Sequence, residues 1–409
     1  MTATPSTSSP RWRANSPARL IALLFATSVL GMLGFSSFAA LLPQFQAMWG
    51  LSNTEAGWIS GIYFAGYVLA VPLLVGGTDR ADPRKIYLLA LVIGGAASCG
   101  YALFAQGFWS ALWFRALAGI GLAGTYMPGL KLLTDHAHGP RQSRHVALYT
   151  AGFGVAVGIS YAFAGEVADW LGWRAAFWGP GLGAAVCVLL ILFLAPATPP
   201  ELREPTQGHP LDFRPVFKNR AAMAFVFGYA GHTFELFAMR AWLVAFLIRA
   251  DLMRGGSGDI SGASWLTTLV VLLSTGASFY GAEIAARADR RLVIGRVMIA
   301  SVLVAVATGF SLGLPVWLVA ALCSLYGMVI MADSAALTGG AVLSAATGRR
   351  GATLAVHTVM GFGAGFCGPL AVGVVLDLAG GEASRWAWGF AFLTMGAGSL
   401  TALAAIRKL

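Results

Sequence analysis

The sequence predicts an all-α membrane protein of twelve transmembrane helices, arranged as two pseudo-symmetric six-helix halves. Three observations predict it. Of 409 residues, 57% are hydrophobic and 11% charged, whereas soluble domains carry about 25% charged residues. Twelve apolar runs reach the roughly 20 residues needed to span a bilayer, where every backbone polar group must be satisfied internally. The second half of the chain also echoes the first at a nearly constant spacing.

The runs fall at 20–43, 54–77, 85–106, 108–131, 145–168, 174–195, 220–248, 262–286, 291–312, 315–344, 351–377 and 386–406, hereafter spans 1 to 12. Those longer than 25 residues are accommodated by tilt or by extension past the hydrocarbon. Residues 1–18, rich in Ser, Thr, Pro and Arg, read as a disordered cytoplasmic lead. The run after them is too long for a signal-peptide core and reads as a retained helix. Residues 19–195 then form the first six-helix bundle and 220–409 the second. Between them, 196–219 hold six prolines and six charges in 24 residues and read as a cytoplasmic linker.

Three echoes support duplication. "GFG" occurs at Gly152 and again at Gly361, 209 residues on; Arg80 and Arg287 stand in matching basic loops, 207 apart; Arg174 and Arg385 open spans 6 and 12, 211 apart. Signals at one period in equivalent places indicate a repeated six-helix unit. The net charge of +10 is unevenly placed: 21 of 27 basic residues fall on the side that holds both termini, and four on the other. That asymmetry sets both termini in the cytoplasm and replaces a nucleic-acid reading of the charge. Cys99, Cys187, Cys323 and Cys367 lie within spans without paired spacing, so neither disulfides nor a metal site are expected.

At "GGTDRADPRK", between spans 2 and 3, the chain resembles the major facilitator superfamily. Asp79, Arg80, Arg84 and Lys85 match the family's loop signature, which is interrupted here by one extra residue and by Asp82-Pro83 in place of a glycine. The loop between spans 8 and 9 keeps Arg287, Arg290 and Arg291, with Ala286 at the aspartate position. Span 4 carries "RALAGIGLAG", similar to a second family motif through Arg115, Gly119, Gly121 and Ala123. The proline that accompanies drug antiporters in span 5 is absent after Gly158. Within the family the glycine-rich spans 5 and 11 look closest to nitrate- and cyanate-type carriers, although the arginines expected in spans 2 and 8 are missing. The resemblance implies a solute carrier that rocks its halves about a central cavity lined by spans 1, 4, 7 and 10, with the two basic loops as gates. The alternative for those loops is topogenic charge alone.

Span 7 contains "GHTFELFAMR", three ionisable side chains where charge is costly. At 100° per residue, His232, Glu235 and Arg240 share an arc of about 140°, and Tyr229 lies within it. A guanidinium stays charged and clamps oxyanions in a planar fork, so Arg240 and Arg115 are candidate anion ligands. His232, Tyr229 and His357 are candidate substrate contacts. A carboxylate shielded from water takes up protons more readily, which makes Glu235 the leading coupling candidate and Asp333 the second. The competing reading is structural: ion pairs among these groups, a packed His357, and an Arg115 that serves helix packing.

The sequence holds no phosphate loop, no H-E-x-x-H and no C-x-x-C. The expected protein is therefore a non-enzymatic secondary transporter without cofactor or metal, moving a small anion with protons across the plasma membrane. Its partners are the solute, protons and the lipid bilayer, without nucleic acid, and a monomer meets these needs. Proton-driven efflux of a lipophilic drug and a non-transporting receptor on the same fold are the alternatives.

Overall fold

A computed structural model describes residues 16–78, 81–136, 142–197 and 213–407. Caps and prolines set many of the helix starts. In the first half, α1 (Pro17–Gly31) begins behind Ser16, whose hydroxyl accepts from the Arg19 amide. Two short helices follow, α2 (Ser37–Ala40) and α3 (Leu42–Trp49). A capping box between Ser52 and Glu55 opens α4 (Asn53–Gly77), and Asp82 with Pro83 opens α5 (Pro83–Phe104). Next come α6 (Phe108–Ala123), α7 (Tyr126–Thr134), α8 (Gln142–Leu171) and α9 (Ala175–Leu194).

Short α10 (Arg214–Lys218) lies in the described part of the expected linker, residues 196–197 and 213–219, and Asn219 caps α11 (Arg220–Leu252). The second half continues with α12 (Ile260–Arg287), α13 (Arg290–Gly309, capped by Asp289), α14 (Val316–Met331) and α15 (Ser334–Leu343). It ends with α16 (Arg350–Leu378) and α17 (Arg385–Arg407). Among the described residues there is no strand. Ten stretches of the described residues are long and apolar enough to cross a membrane, counting α6–α7 and α14–α15 as one each. The segmented α1–α3 and the polar α11 supply the remaining two crossings of the fold.

Three spans are broken. Span 4 breaks where Gly124 closes α6, and span 10 where Ala332 closes α14, so these breaks are equivalent in the two halves. Span 1 breaks at residues 32–36 and then runs on to Trp49, beyond the single helix ending at 43 that hydropathy suggests. Its counterpart α11 is continuous over 33 residues.

The span 4 motif has a packing explanation. A Cβ at Gly119 would lie 1.9 Å from the Tyr63 carbonyl oxygen, and one at Gly121 would lie 2.7 Å from Gly94 Cα. Only glycine lets α6 sit directly on α4 and α5. The halves meet where α4 lies on α16 and α8 on α12, with α2 and α3 against α11. One apolar cluster runs through both halves at this junction, from Phe35, Tyr63 and Phe64 to Phe237 and Trp242.

Candidate functional site between the halves

The break in span 1 explains the surroundings of Arg115. Unwound backbone leaves carbonyl oxygens without helical donors, and each must find one where water is scarce. Arg115 Nη1 donates to the carbonyls of Gly34 and Phe35, and Nη2 to Phe35, all at 3.3 Å. The guanidinium also covers the Tyr63 ring, 4.3 Å from its centroid, and its buried Nε has no partner. Arg115 thus clamps α6 to the break in span 1.

Arg240 is placed differently. Its continuous helix offers no free carbonyl, and it is 7% exposed. Among the described residues no acidic group lies within ion-pair distance of it. The guanidinium stands 6.0 Å from the Phe237 ring centroid, within electrostatic reach of Tyr161 and Tyr229. Tyr161, from the opposite half, donates its hydroxyl to the Arg240 carbonyl. Around this point the aromatic rings of both halves interlock. Phe64 packs on Phe237 with centroids 4.1 Å apart, and Tyr67 stacks on Phe362 at 4.3 Å. The Tyr67 hydroxyl is buried and unpartnered.

Glu235 does not join Arg240. Its Oε1 accepts from Ser301 and Tyr326 at 2.8 Å each, and its Oε2 accepts from Ser399. These donors belong to α13, α14 and α17, so the carboxylate faces the inside of the second bundle rather than the junction between halves. Glu235 and Arg240 mark opposite ends of the ~140° arc read from the sequence, wide enough to aim them at different neighbours. The shared arc therefore holds, but its two ends face different partners.

His232 meets Asp333 instead, with Nδ1 to Oδ1 at 2.8 Å and both side chains at most 3% exposed. The pair has ion-pair distance, but the ring N–H is not aimed along a hydrogen bond. Asp333 stands at the break in span 10, preceding α15. Tyr229 extends the cluster, 5.6 Å from the His232 ring and stacked on His357 at 3.9 Å. His357 Nε2 lies 3.2 Å from Thr338 Oγ1, while His357 Nδ1 and His232 Nε2 are buried without partners.

The structure thus brings together His232, Asp333, Tyr229 and His357, sets Arg240 within electrostatic reach of Tyr229, and separates Glu235 and Arg115. Of the gate candidates, Asp79 and Arg80 lie outside the described residues. Arg84 donates to the carbonyls of Ile191 and Leu192, where α9 ends. Lys85 is exposed, and Arg287 pairs with Glu283 on the surface at 2.5 Å. Arg290 keeps a buried Nε without partner, and Arg291 is exposed. Sequence reasoning missed Tyr161, Tyr67 and the three hydroxyls on Glu235. Serines and tyrosines are common in spans, and nothing local distinguishes these.

Two repeated bundles meeting through the helix pairs α4–α16 and α8–α12, with breaks in the equivalent spans 4 and 10, define a two-half membrane carrier. Residues 24–332 match the Major Facilitator Superfamily, and the chain belongs to that family of multi-pass membrane transporters. Its fold is similar to that of a bacterial homologue of the human lysosomal transporter Spinster, inward-facing and unoccupied. The TM-score is 0.80 at 17% identity, over 96% of this chain and 97% of that one. It is also similar to the nucleoside transporter NupG, with TM-score 0.71 at 17% identity, over 95% of this chain and 98% of that one.

In sequence, human protein spinster homolog 1 is 25% identical over 59% of this chain and 48% of its own length. A chloramphenicol resistance protein of Streptomyces lividans is 28% identical over 66% of each. The chain thus spans about half the length of the human relative. The expected nearness to nitrate and cyanate carriers is not borne out. The glycines behind it serve helix packing: Gly361 and Gly365 face Tyr229 and Phe237, and Gly154 faces Thr275.

Proposed function

We propose that this transporter moves an amphipathic organic anion across the plasma membrane by alternating access, coupled to protons. The observation that carries the reading is Arg240: a guanidinium buried at the junction of the halves, with no acidic partner among the described residues. A buried charge left uncompensated is costly, and a solute carboxylate, sulfate or phosphate bound there would relieve that cost. The surrounding rings of Phe237, Phe64, Phe362 and Tyr67 suit an apolar remainder of the solute. Relatives named for sphingolipid transport and chloramphenicol resistance support an amphipathic cargo over a small inorganic ion.

For coupling, His232–Asp333 is the stronger candidate. It adjoins Tyr229 and the helix break that would move with it, whereas Glu235 is already held by three hydroxyl donors. The basic-residue asymmetry supports a cytoplasmic side that holds both termini and the linker, with the two basic loops as gate candidates on that side.

The test is a thermal-shift and flux series with alkyl carboxylates, sulfates and phosphates of graded chain length, using purified protein and proteoliposomes at two pH values. Stabilisation that grows with chain length and vanishes in Arg240→Gln is the expected result. Equal stabilisation by neutral analogues would favour drug efflux, the reading suggested by the chloramphenicol relative.

A further inference from the structure

The ends of spans 5 and 11 carry two carboxylates that no motif accounts for. Asp377, one residue before the end of α16, reaches across to the first turn of α4 in the other half. Its Oδ1 accepts from the Asn53 amide at 3.0 Å and from Asn53 Nδ2 at 2.8 Å; its Oδ2 accepts from the Thr54 amide at 2.7 Å and Thr54 Oγ1 at 2.6 Å. Two of these donors are free amides at a helix start, where the backbone dipole also favours negative charge. Asn53 is held in turn by Gln46 Nε2, 2.9 Å from its Oδ1.

Glu166, in the last two turns of α8, makes the reciprocal reach. Its Oε1 accepts from Ser261 Oγ at 2.9 Å and Trp265 Nε1 at 2.6 Å, in the first turns of α12. Asp377 follows Glu166 by 211 residues, and Ser261 follows Thr54 by 207, the spacings of the internal repeat. The two contacts are thus related by the pseudo-symmetry of the fold, each half offering a carboxylate to the other. Both lie at the end opposite the linker. The crossing backbones touch there, for a Cβ at Gly57 or Gly61 would fall 2.6 Å from the Pro369 or 2.4 Å from the Phe366 carbonyl oxygen.

We propose that Asp377 and Glu166 are a matched pair of latches that hold the halves shut at this end, and that both must release for it to open. The latches are unequal. Asp377 takes four donors, two of them backbone, and Glu166 takes two side-chain donors, so Asp377 carries the larger share. The inference rests on the two-half architecture and is independent of which solute is carried.

Hydrogen–deuterium exchange on the full chain in nanodiscs, without solute, tests it. In Asp377→Asn, one accepting oxygen becomes a donor facing donors. Exchange should rise at least tenfold at residues 53–57 and also at the distant 260–266, while α7 and α15, at the linker end, exchange several-fold more slowly as that end closes. Glu166→Gln should shift the same segments by a smaller factor. A rise confined to 53–57, or faster exchange at both ends, would reduce the contact to local helix capping and overturn the proposal. Thr54→Val, which removes one of four bonds and retains the carboxylate, provides a milder variant should Asp377→Asn fail to fold; it should show the same two-ended pattern at lower amplitude, and its absence would count equally against the latch.

Discussion

Among the described residues each half of the molecule buries one arginine in a membrane span, and the two halves treat it differently. In the first half the helix of span 1 breaks, and Arg115 satisfies the carbonyls of Gly34 and Phe35 that the break exposes. In the second half α11 stays intact, and Arg240 finds neither carbonyl nor acid among the described residues. A duplicated unit has thus given one arginine an internal ligand and left the other facing the junction. The same residue type in a span is structural or available according to what the neighbouring backbone leaves unpaired.

The sharpest break of this comparison is Arg240→Gln. It should lower affinity for the anionic solute about 100-fold, roughly 2.7 kcal/mol at 1.36 kcal/mol per decade, with the melting temperature of the solute-free protein unchanged or raised, because an uncompensated buried charge is removed. Titration of purified protein with the best stabilising anion measures it; a lowered melting temperature with affinity retained would make Arg240 structural. Arg115→Gln should do the reverse. Leaving carbonyls unsatisfied costs about 1–3 kcal/mol each, so thermal unfolding should move down by several degrees while affinity changes less than about threefold.

Coupling separates the two acids of the second half. Asp333→Asn should reduce proton-driven accumulation in proteoliposomes about tenfold, roughly 1.4 kcal/mol of lost coupling, while solute exchange without a gradient persists. Glu235→Gln should accumulate solute like the unaltered protein, and loss of accumulation there would return the coupling role to Glu235. The smallest effect belongs to Ser301→Ala. It removes one of the three hydroxyls on Glu235 and should cost about 0.6 kcal/mol, the average of hydrogen bonds between membrane helices, visible as a small shift in melting and none in transport.

The residues of span 7 show where sequence reasoning reached its end. Their placement in one long helix followed from the apolar run, and the depth of His232, Glu235 and Arg240 from helical rise alone. Their directions about the helix axis were legible too. What those directions pointed at was not, because the angle of a side chain on its own helix carries no information about which helix stands opposite. The break in span 1 was equally hidden: Met32 to Ser36 is as apolar as its surroundings, and it unwinds where Arg115, some 80 residues away, binds its carbonyls.

By itself the sequence determined the helical membrane class, the twelve spans to within a few residues at most ends, the duplication and the family, since hydropathy and repeat spacing are local properties of the chain. Only the tertiary structure decided that Asp333 takes His232, that hydroxyls from three helices take Glu235, and that Arg240 is left over. The first two outcomes are choices among partners 66 to 164 residues distant, made by packing geometry and by the cost of leaving a buried polar group unpaired; Arg240 is what that packing leaves without an acid among the described residues.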